Sequence, residues 1–311
     1  MRKIIFILIL LILSVQEISA QQDAQYTQYM YNTLAINPAY AGSRGVFSIT
    51  GLHRSQWVGL DGAPTTQTLN FNTPVSKRVG LGFSIINDEI GNGTNQDTYF
   101  DIAFSYTIST GDASKLSFGL KAGGHSLDLN FNKLANYIQG SSVTGDINKK
   151  FSPNFGAGIY YHTNKFYAGL SVPNFLQTEH FDVSETQNST FLATEQMNWY
   201  FITGYVFKLN PNLKLKPAML IKAVQGAPLQ ADLSASFLLK NKFSFGAAYR
   251  WSAALSALVG FQITDQLMLG LAYDKETTEL GSTSFNDGSF EIFLRYELRT
   301  RHKKVLTPRF F

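Results

Sequence analysis

Apolar and polar residues alternate along most of this chain. Near its end, Phe290, Ile292 and Leu294 alternate with positions that include Glu291 and Arg295. Successive side chains of a β-strand point to opposite faces, so the pattern predicts a strand with one apolar, aromatic face and one charged face. The pattern recurs in about fourteen segments of roughly ten residues each, which makes the β-strand the repeating unit of the fold.

The connections between these segments are alternately short and long. The short ones are built from Pro, Gly, Asn, Asp and Ser, as hairpin turns require, and the others are mostly longer and polar. This arrangement predicts an all-β fold, a transmembrane outer-membrane β-barrel of about 14 antiparallel strands over residues 46–298. The strands are expected to begin near Val46, Thr66, Arg78, Gln96, Lys115, Pro153, Lys165, Asn198, Asn212, Leu229, Lys242, Ala254, Gln266 and Gly288.

The unequal connections also predict an orientation. In such barrels short turns face the periplasm and long loops face outward, so we expect a multi-pass barrel in the bacterial outer membrane with both termini periplasmic. A barrel of this size has room for a plug in its lumen. The charged faces of the strands should line that lumen and comprise Asp101, Lys121, Lys214, Lys216, Lys222, Asp232, Arg250, Arg295 and Glu297.

The amino terminus has the pattern of a secretory signal. Arg2 and Lys3 precede an apolar run from Ile4 to Leu13, which predicts a signal peptide over residues 1–20 with cleavage after Ala20. Residues 21–45 then form a pre-barrel segment, periplasmic or plug-forming, and residues 299–311 form a basic periplasmic tail. No later stretch approaches the roughly 18 apolar residues that a transmembrane helix needs.

Composition narrows the functional classes. The net charge is +4 and the sequence pI is about 9.0, but the cations are scattered up to the tail, so nucleic-acid binding is not predicted. A hydrophobic fraction of 44% with a mean hydropathy of -0.06 suits strands with one lipid face and one wet face. A soluble β-sandwich or propeller is the alternative fold, since its strands also alternate.

Residues for catalysis or metal binding are not grouped in the sequence. The five histidines are dispersed, there is no cysteine, and the oxygen-rich run from Asn87 to Asp97 lacks the spacing of a calcium loop. His125 and Ser126 are neighbours and would face opposite ways on a strand. We therefore predict that the protein is not an enzyme and has no catalytic residue, metal site or cofactor.

Two compact motifs are not explained by barrel building. The first comprises Gln28-Tyr29-Met30-Tyr31-Asn32 and Ile36-Asn37-Pro38-Ala39-Tyr40-Ala41-Gly42, and the second comprises Arg54-Ser55-Gln56-Trp57-Val58-Gly59 and Gly62-Ala63-Pro64. Together, in this order, they closely resemble the PorP/SprF-type outer-membrane proteins of the type IX secretion system and gliding machinery. The resemblance extends over nearly the whole mature chain.

The resemblance implies a non-enzymatic barrel that helps a secreted or surface-anchored partner to leave the cell. That partner is often a large adhesin with a type B carboxy-terminal signal. Other type IX components, including a periplasmic OmpA-like protein, are further expected partners, together with outer-membrane lipid. The alternative function is an outer-membrane diffusion porin or solute channel.

The two motifs supply the candidate site residues. The pre-barrel motif either plugs the lumen or contacts a partner directly, since its aromatic residues offer rigid contact area. The second motif and the long loops, with anchors such as Phe181, are candidate partner contacts. The complete set is Gln28, Tyr29, Met30, Asn32, Asn37, Pro38, Tyr40, Gly42, Arg54, Gln56, Trp57, Gly59, Gly62, Pro64 and Phe181.

Overall fold

The computed structural model describes residues 24–130, 133, 147–177, 196–283 and 285–298. Two short helical turns precede the sheet, α1 (Thr33–Ile36) and the 3-10 helix η1 (Pro38–Tyr40). The strands are β1 (Phe47–Ser55), β2 (Thr65–Pro74), β3 (Val79–Ile90), β4 (Asn95–Ser109), β5 (Lys115–Leu129), β6 (Ile147–His162), β7 (Phe166–Val172), β8 (Asn198–Tyr205), β9 (Phe207–Asn210), β10 (Leu213–Val224), β11 (Gln230–Leu239), β12 (Phe243–Arg250), β13 (Ala254–Gln262), β14 (Leu267–Glu276) and β15 (Ser289–Leu298). A 3-10 helix, η2 (Glu279–Ser282), lies between β14 and β15.

The sheet closes into an antiparallel barrel because β15 pairs with β1. The short elements β8 and β9 are two halves of one barrel strand, since both pair with β10. Between them, Val206 donates its backbone N–H to the Lys165 carbonyl at 2.8 Å. Pro217 on β10 has no N–H to donate at this level, which accounts for the break in the ladder. The barrel therefore has fourteen strands, and the predicted fold class is confirmed.

Side-chain exposure separates an outer and an inner face. On β15, the exposed residues Phe290, Ile292 and Leu294 alternate with the buried Glu291 and Arg295. Eight of the nine charged residues predicted to line the lumen are buried, namely Asp101, Lys121, Lys216, Lys222, Asp232, Arg250, Arg295 and Glu297. The ninth, Lys214, is half-buried near a hairpin turn. The outer apolar surface is the face that contacts lipid in an outer-membrane barrel.

Strand β6 is the exception to the predicted boundaries. It begins at Ile147, six residues before the predicted start at Pro153. Its first residues pair with β5, where Lys150 lies opposite Leu127 and the register shifts before Leu129. Lys149 and Lys150 look like loop residues in the sequence, but pairing with the long β5 extends the strand. Each other predicted strand begins within one residue of its predicted start.

The two ends of the barrel differ in the length of their connections. The short-turn end contains the links β2–β3, β4–β5, β6–β7, β9–β10, β11–β12 and β13–β14, and the long-loop end contains the others. The predicted signal peptide at residues 1–20, the tail at residues 299–311 and the candidate Phe181 lie outside the described residues. No helix among the described residues is long and apolar enough to cross a membrane.

Candidate functional site

Residues 24–45 lie inside the barrel. Their buried apolar side chains are Tyr26, Tyr29, Leu34, Ile36, Ala39, Tyr40 and Ala41. They form one core cluster with wall residues such as Tyr160, Ile202 and Phe293. We call residues 24–45 the lumen segment.

A local cap positions the middle of the lumen segment. Asn37 stands before the 3-10 helix η1, and its Oδ1 accepts the backbone N–H of Ala39 at 2.9 Å. Pro38 occupies the first position of that helix, where its missing N–H costs no hydrogen bond. Asn37 also donates from Nδ2 to the Ile159 carbonyl at 3.1 Å, so one side chain both caps the turn and joins it to β6.

Buried charges hold the lumen segment at the long-loop end. The Glu291 carboxylate accepts the backbone N–H groups of Thr27, at 2.9 Å, and Gln28, at 2.8 Å. Arg54 Nη1 lies 2.7 Å from Asp274 Oδ2 and 2.8 Å from the Thr27 hydroxyl, which itself donates to Asp274 at 2.6 Å. Hydrogen bonds to charged groups in a buried site are among the strongest in proteins. These residues therefore form a latch on the start of the segment.

Other contacts fix the segment to further strands. The Tyr26 hydroxyl lies 3.0 Å from that of Thr68, and the Asn70 amide donates to Asn32. The Ser171 hydroxyl donates to the Ile36 carbonyl at 2.9 Å. The segment thus contacts β2 and β7 as well as β6.

The segment ends at the short-turn end, where it enters β1. The Ser105 hydroxyl donates to the Ala41 carbonyl at 2.6 Å, and the Gly42 N–H donates to Asn72 Oδ1 at 2.5 Å. Arg44 forms a buried ion pair with Glu297. The lumen segment therefore runs through the barrel from the long-loop end to the short-turn end.

Glycines in the wall make room for the segment. A Cβ on Gly119 would lie 2.1 Å from the Ala39 nitrogen, and one on Gly158 would lie 2.2 Å from Asn37 Oδ1. Barrel curvature is the usual reading of strand glycines. At these two positions the close approach of the lumen segment explains why glycine is required.

The second motif organises the first long loop. Trp57 donates from its backbone N–H to the Ser289 hydroxyl and from Nε1 to Glu276, both at 3.1 Å. Gln56 donates its backbone N–H to the Pro64 carbonyl at 2.9 Å, which closes the loop. The motif thus braces this loop against the connection that follows β14.

Two glycines of the same motif allow close approach. Gly59 has a φ of +102°, and a Cβ there would lie 2.5 Å from the Phe285 carbonyl oxygen. Gly62 has a φ of +73° and packs against Gly91. Both positions therefore favour glycine for backbone conformation and for space.

The structure brings some predicted site residues together and separates others. It buries most of the first motif, with Met30, Tyr31 and Gly42 half-buried. Arg54 also points into the lumen, away from the rest of its motif, which is at the barrel rim. Sequence reasoning missed Thr27, Asp274 and Glu291 as members of the latch. The alternating pattern placed Asp274 and Glu291 on the inner faces of β14 and β15. It did not indicate that they contact Thr27.

A cation cluster surrounds Tyr31 nearer the short-turn end. The Tyr31 ring stacks on Phe293 with centroids 4.1 Å apart. The Lys216 ammonium lies 5.6 Å and the Arg295 guanidinium 5.3 Å from the Tyr31 centroid, which is cation–π distance. Electron-rich Tyr31 therefore stabilises buried cations in this part of the lumen.

Burial also affects ionisable groups of the lumen segment. It raises the pKa of Tyr26 and of Tyr29, so both hydroxyls stay protonated. Burial alone would lower the pKa of Arg44, but the nearby Glu297 charge outweighs it and the pKa of Arg44 is raised. Among the residues that the structure describes, no group of three histidine or carboxylate side chains could hold a metal ion.

Comparison with known proteins gives a family match. The family described as "Type IX secretion system membrane protein PorP/SprF" matches residues 18–296. No curated protein sequence matches the chain significantly.

Solved structures give a match of fold. The monoaromatic hydrocarbon channel CymD is 11% identical with a TM-score of 0.51, and the match covers 89% of this chain and 94% of that one. The Acinetobacter baumannii outer membrane protein Omp33 is 10% identical with a TM-score of 0.48, over 81% of this chain and 98% of that one. The Ralstonia pickettii toluene transporter TbuX is 11% identical with a TM-score of 0.48, over 86% and 93%. At an identity of 11%, the likeness to CymD supports the barrel fold alone.

Proposed function

Since the chain belongs to the PorP/SprF family and is an outer-membrane component of the type IX secretion system, we propose that it supports secretion and surface anchoring of a partner protein without conducting solutes. The partner is a type IX substrate such as an adhesin with a type B carboxy-terminal signal. The barrel acts through contacts and carries out no catalysis. We also propose a role in the gliding machinery, which the resemblance of the two sequence motifs implies.

The observation that carries this proposal is the filled lumen. Residues 24–45 run from one barrel end to the other and are held by buried contacts at both. A solute channel of this strand number would need an open lumen. The lumen segment therefore favours a contact function over the diffusion-porin alternative.

The long-loop end is the proposed contact face for the secreted partner. Trp57 is half-buried there and its backbone conformation is fixed by hydrogen bonds, so it offers a preorganised aromatic anchor. Phe181, in the long connection between β7 and β8, is a second proposed anchor. The short-turn end, where we place the periplasm, is available to other type IX components such as an OmpA-like protein.

A cysteine-labelling experiment tests the proposed orientation. Gln225 is an exposed residue of the β10–β11 connection at the long-loop end, and Asp265 is an exposed residue of a short turn. In whole cells, an impermeant maleimide should label Gln225→Cys and not Asp265→Cys, while both react after lysis. The opposite pattern would reverse the orientation.

Surface display tests the function itself. A strain lacking this protein should lose surface display of one partner, and the native gene should restore it. Trp57→Ala or Phe181→Ala should restore display only in part while barrel assembly is normal. Leu233→Ala, at an exposed position on the outer barrel face, is the control and should restore display fully. Normal display of every surface protein in the deletion strain would disprove the proposed function.

A further inference from the structure

A cavity lies on the long-loop side of the lumen segment. Its volume is about 70 Å³, which is room for several non-hydrogen atoms but not for a drug-sized ligand. Tyr26, Tyr29 and Ile36 of the lumen segment line it, and Tyr200 and Leu220 line it from the wall. The lining is therefore mainly apolar and aromatic.

Four charged side chains line the same cavity, and three of them are neutralised by ion pairs. Lys121 Nζ lies 2.9 Å from Asp101 Oδ2, so those two lining residues pair together. Asp232 pairs with Arg250 at 2.9 Å. Within the described part of the chain, the remaining cation, Lys222, has no ion pair or hydrogen bond.

Lys222 nevertheless sits in a buried position. Its side chain is only 6% exposed, and its ammonium lies 5.8 Å from the centroid of the Tyr200 ring. A cation–π contact offsets only part of the cost of removing an ammonium from water. The cavity thus has one excess positive charge beside an apolar surface.

We propose that this cavity binds a carboxylate that a partner polypeptide carries next to an aromatic or aliphatic side chain. Lys222 binds the carboxylate, and the tyrosine-lined wall packs against the apolar group. The small volume suits one side chain of a protein. This inference rests on the proposed function, because it places one contact of the secreted partner inside the mouth of the barrel.

A pair of small probes tests the chemistry in the full chain refolded in detergent micelles. Butyrate carries a carboxylate on a short aliphatic chain, and butyramide has the same chain without the charge. Titration calorimetry should show that the acid binds at least about tenfold more tightly than the amide, as expected for a charge-assisted hydrogen bond. Equal affinities of acid and amide would overturn the proposal.

Lysine variants test whether Lys222 causes the preference for the acid over the amide. Lys222→Met keeps the aliphatic stem and should abolish the preference for the acid, whereas Lys222→Arg should retain it. Lys214→Met is the matched control, because Lys214 lies on the same strand and face and donates to Asn241 near the short-turn end. The proposal fails if Lys214→Met removes the preference equally, or if Lys222→Met leaves it intact.

Surface display in cells separates this inference from the proposed function. Lys222→Met should reduce display of the partner about tenfold or more if the carboxylate contact supports it. Normal display by that variant, in a background where deletion of the protein abolishes display, would overturn the inference alone. Normal display in the deletion strain would overturn the proposed function, whatever the probes do.

Discussion

Replacing Arg54 should destabilise the barrel and loosen the start of the lumen segment. Arg54 is 1% exposed, and Nη1 lies 2.7 Å from Asp274 Oδ2 and 3.4 Å from Glu291 Oε2. Arg54→Met leaves both carboxylates buried without this cation. Breaking a buried ion pair in this way costs about 3–5 kcal/mol, mostly as the penalty of the uncompensated charge. We expect a loss in that range in the free energy of unfolding.

Urea titration of the protein refolded in phospholipid vesicles measures this loss. The triple variant Arg54→Met, Asp274→Asn, Glu291→Gln should recover part of it, because the uncompensated charges are gone. Arg78→Met is the control, since Arg78 is exposed at a short turn, and it should change the unfolding free energy by less than about 0.5 kcal/mol. A loss of less than about 1 kcal/mol for Arg54→Met would refute the latch.

Two further predictions concern the lipid face and the packing of the lumen segment. Leu294→Arg, at an exposed position in the middle of β15, should lower the free energy of unfolding by about 2–4 kcal/mol in the same titration. Leu298→Arg, at the end of the strand, should lower it by only about 0–1 kcal/mol. Equal losses would contradict the assigned membrane depth. Gly119→Val should displace the lumen segment at Ala39 and expose it to protease, whereas Gly51→Val, with open space around its Cβ, should not. If the lumen segment is equally protected from protease in both variants, its packing against Gly119 is not needed to hold it in place.

The strand pattern carried most of the information about the fold. Alternation with a period of two fixes which residues of a strand share a face, so the outward Leu294 and the inward Glu291 follow from the sequence. Turn residues fix where hairpins reverse, which explains the close agreement of strand boundaries. The start of β6 was wrong because pairing with β5, a non-local effect, extended a polar stretch into a strand.

The interior of the barrel was less predictable. Thr27 and Glu291 are 264 residues apart in sequence, and only barrel closure brings them together. The two motifs marked residues that matter for the interior, but they did not indicate that Arg54 turns inward while Trp57 stays at the rim. The sequence predicted that Lys222 lies in the lumen. It did not predict that Lys222 lacks an acidic partner among the described residues, because that depends on which ion pairs the neighbouring carboxylates form.

The central claim is that the lumen segment seals the barrel, and single-channel recording in planar bilayers tests it most directly. The intact protein should show almost no steady conductance, and deletion of residues 21–33 should raise it, because that deletion removes the latch contacts of Thr27 and Gln28 and the Asn32 contact. If the deletion variant does not assemble, the intact protein still decides the question. A large steady conductance of the intact protein, unchanged by the deletion, would contradict the claim.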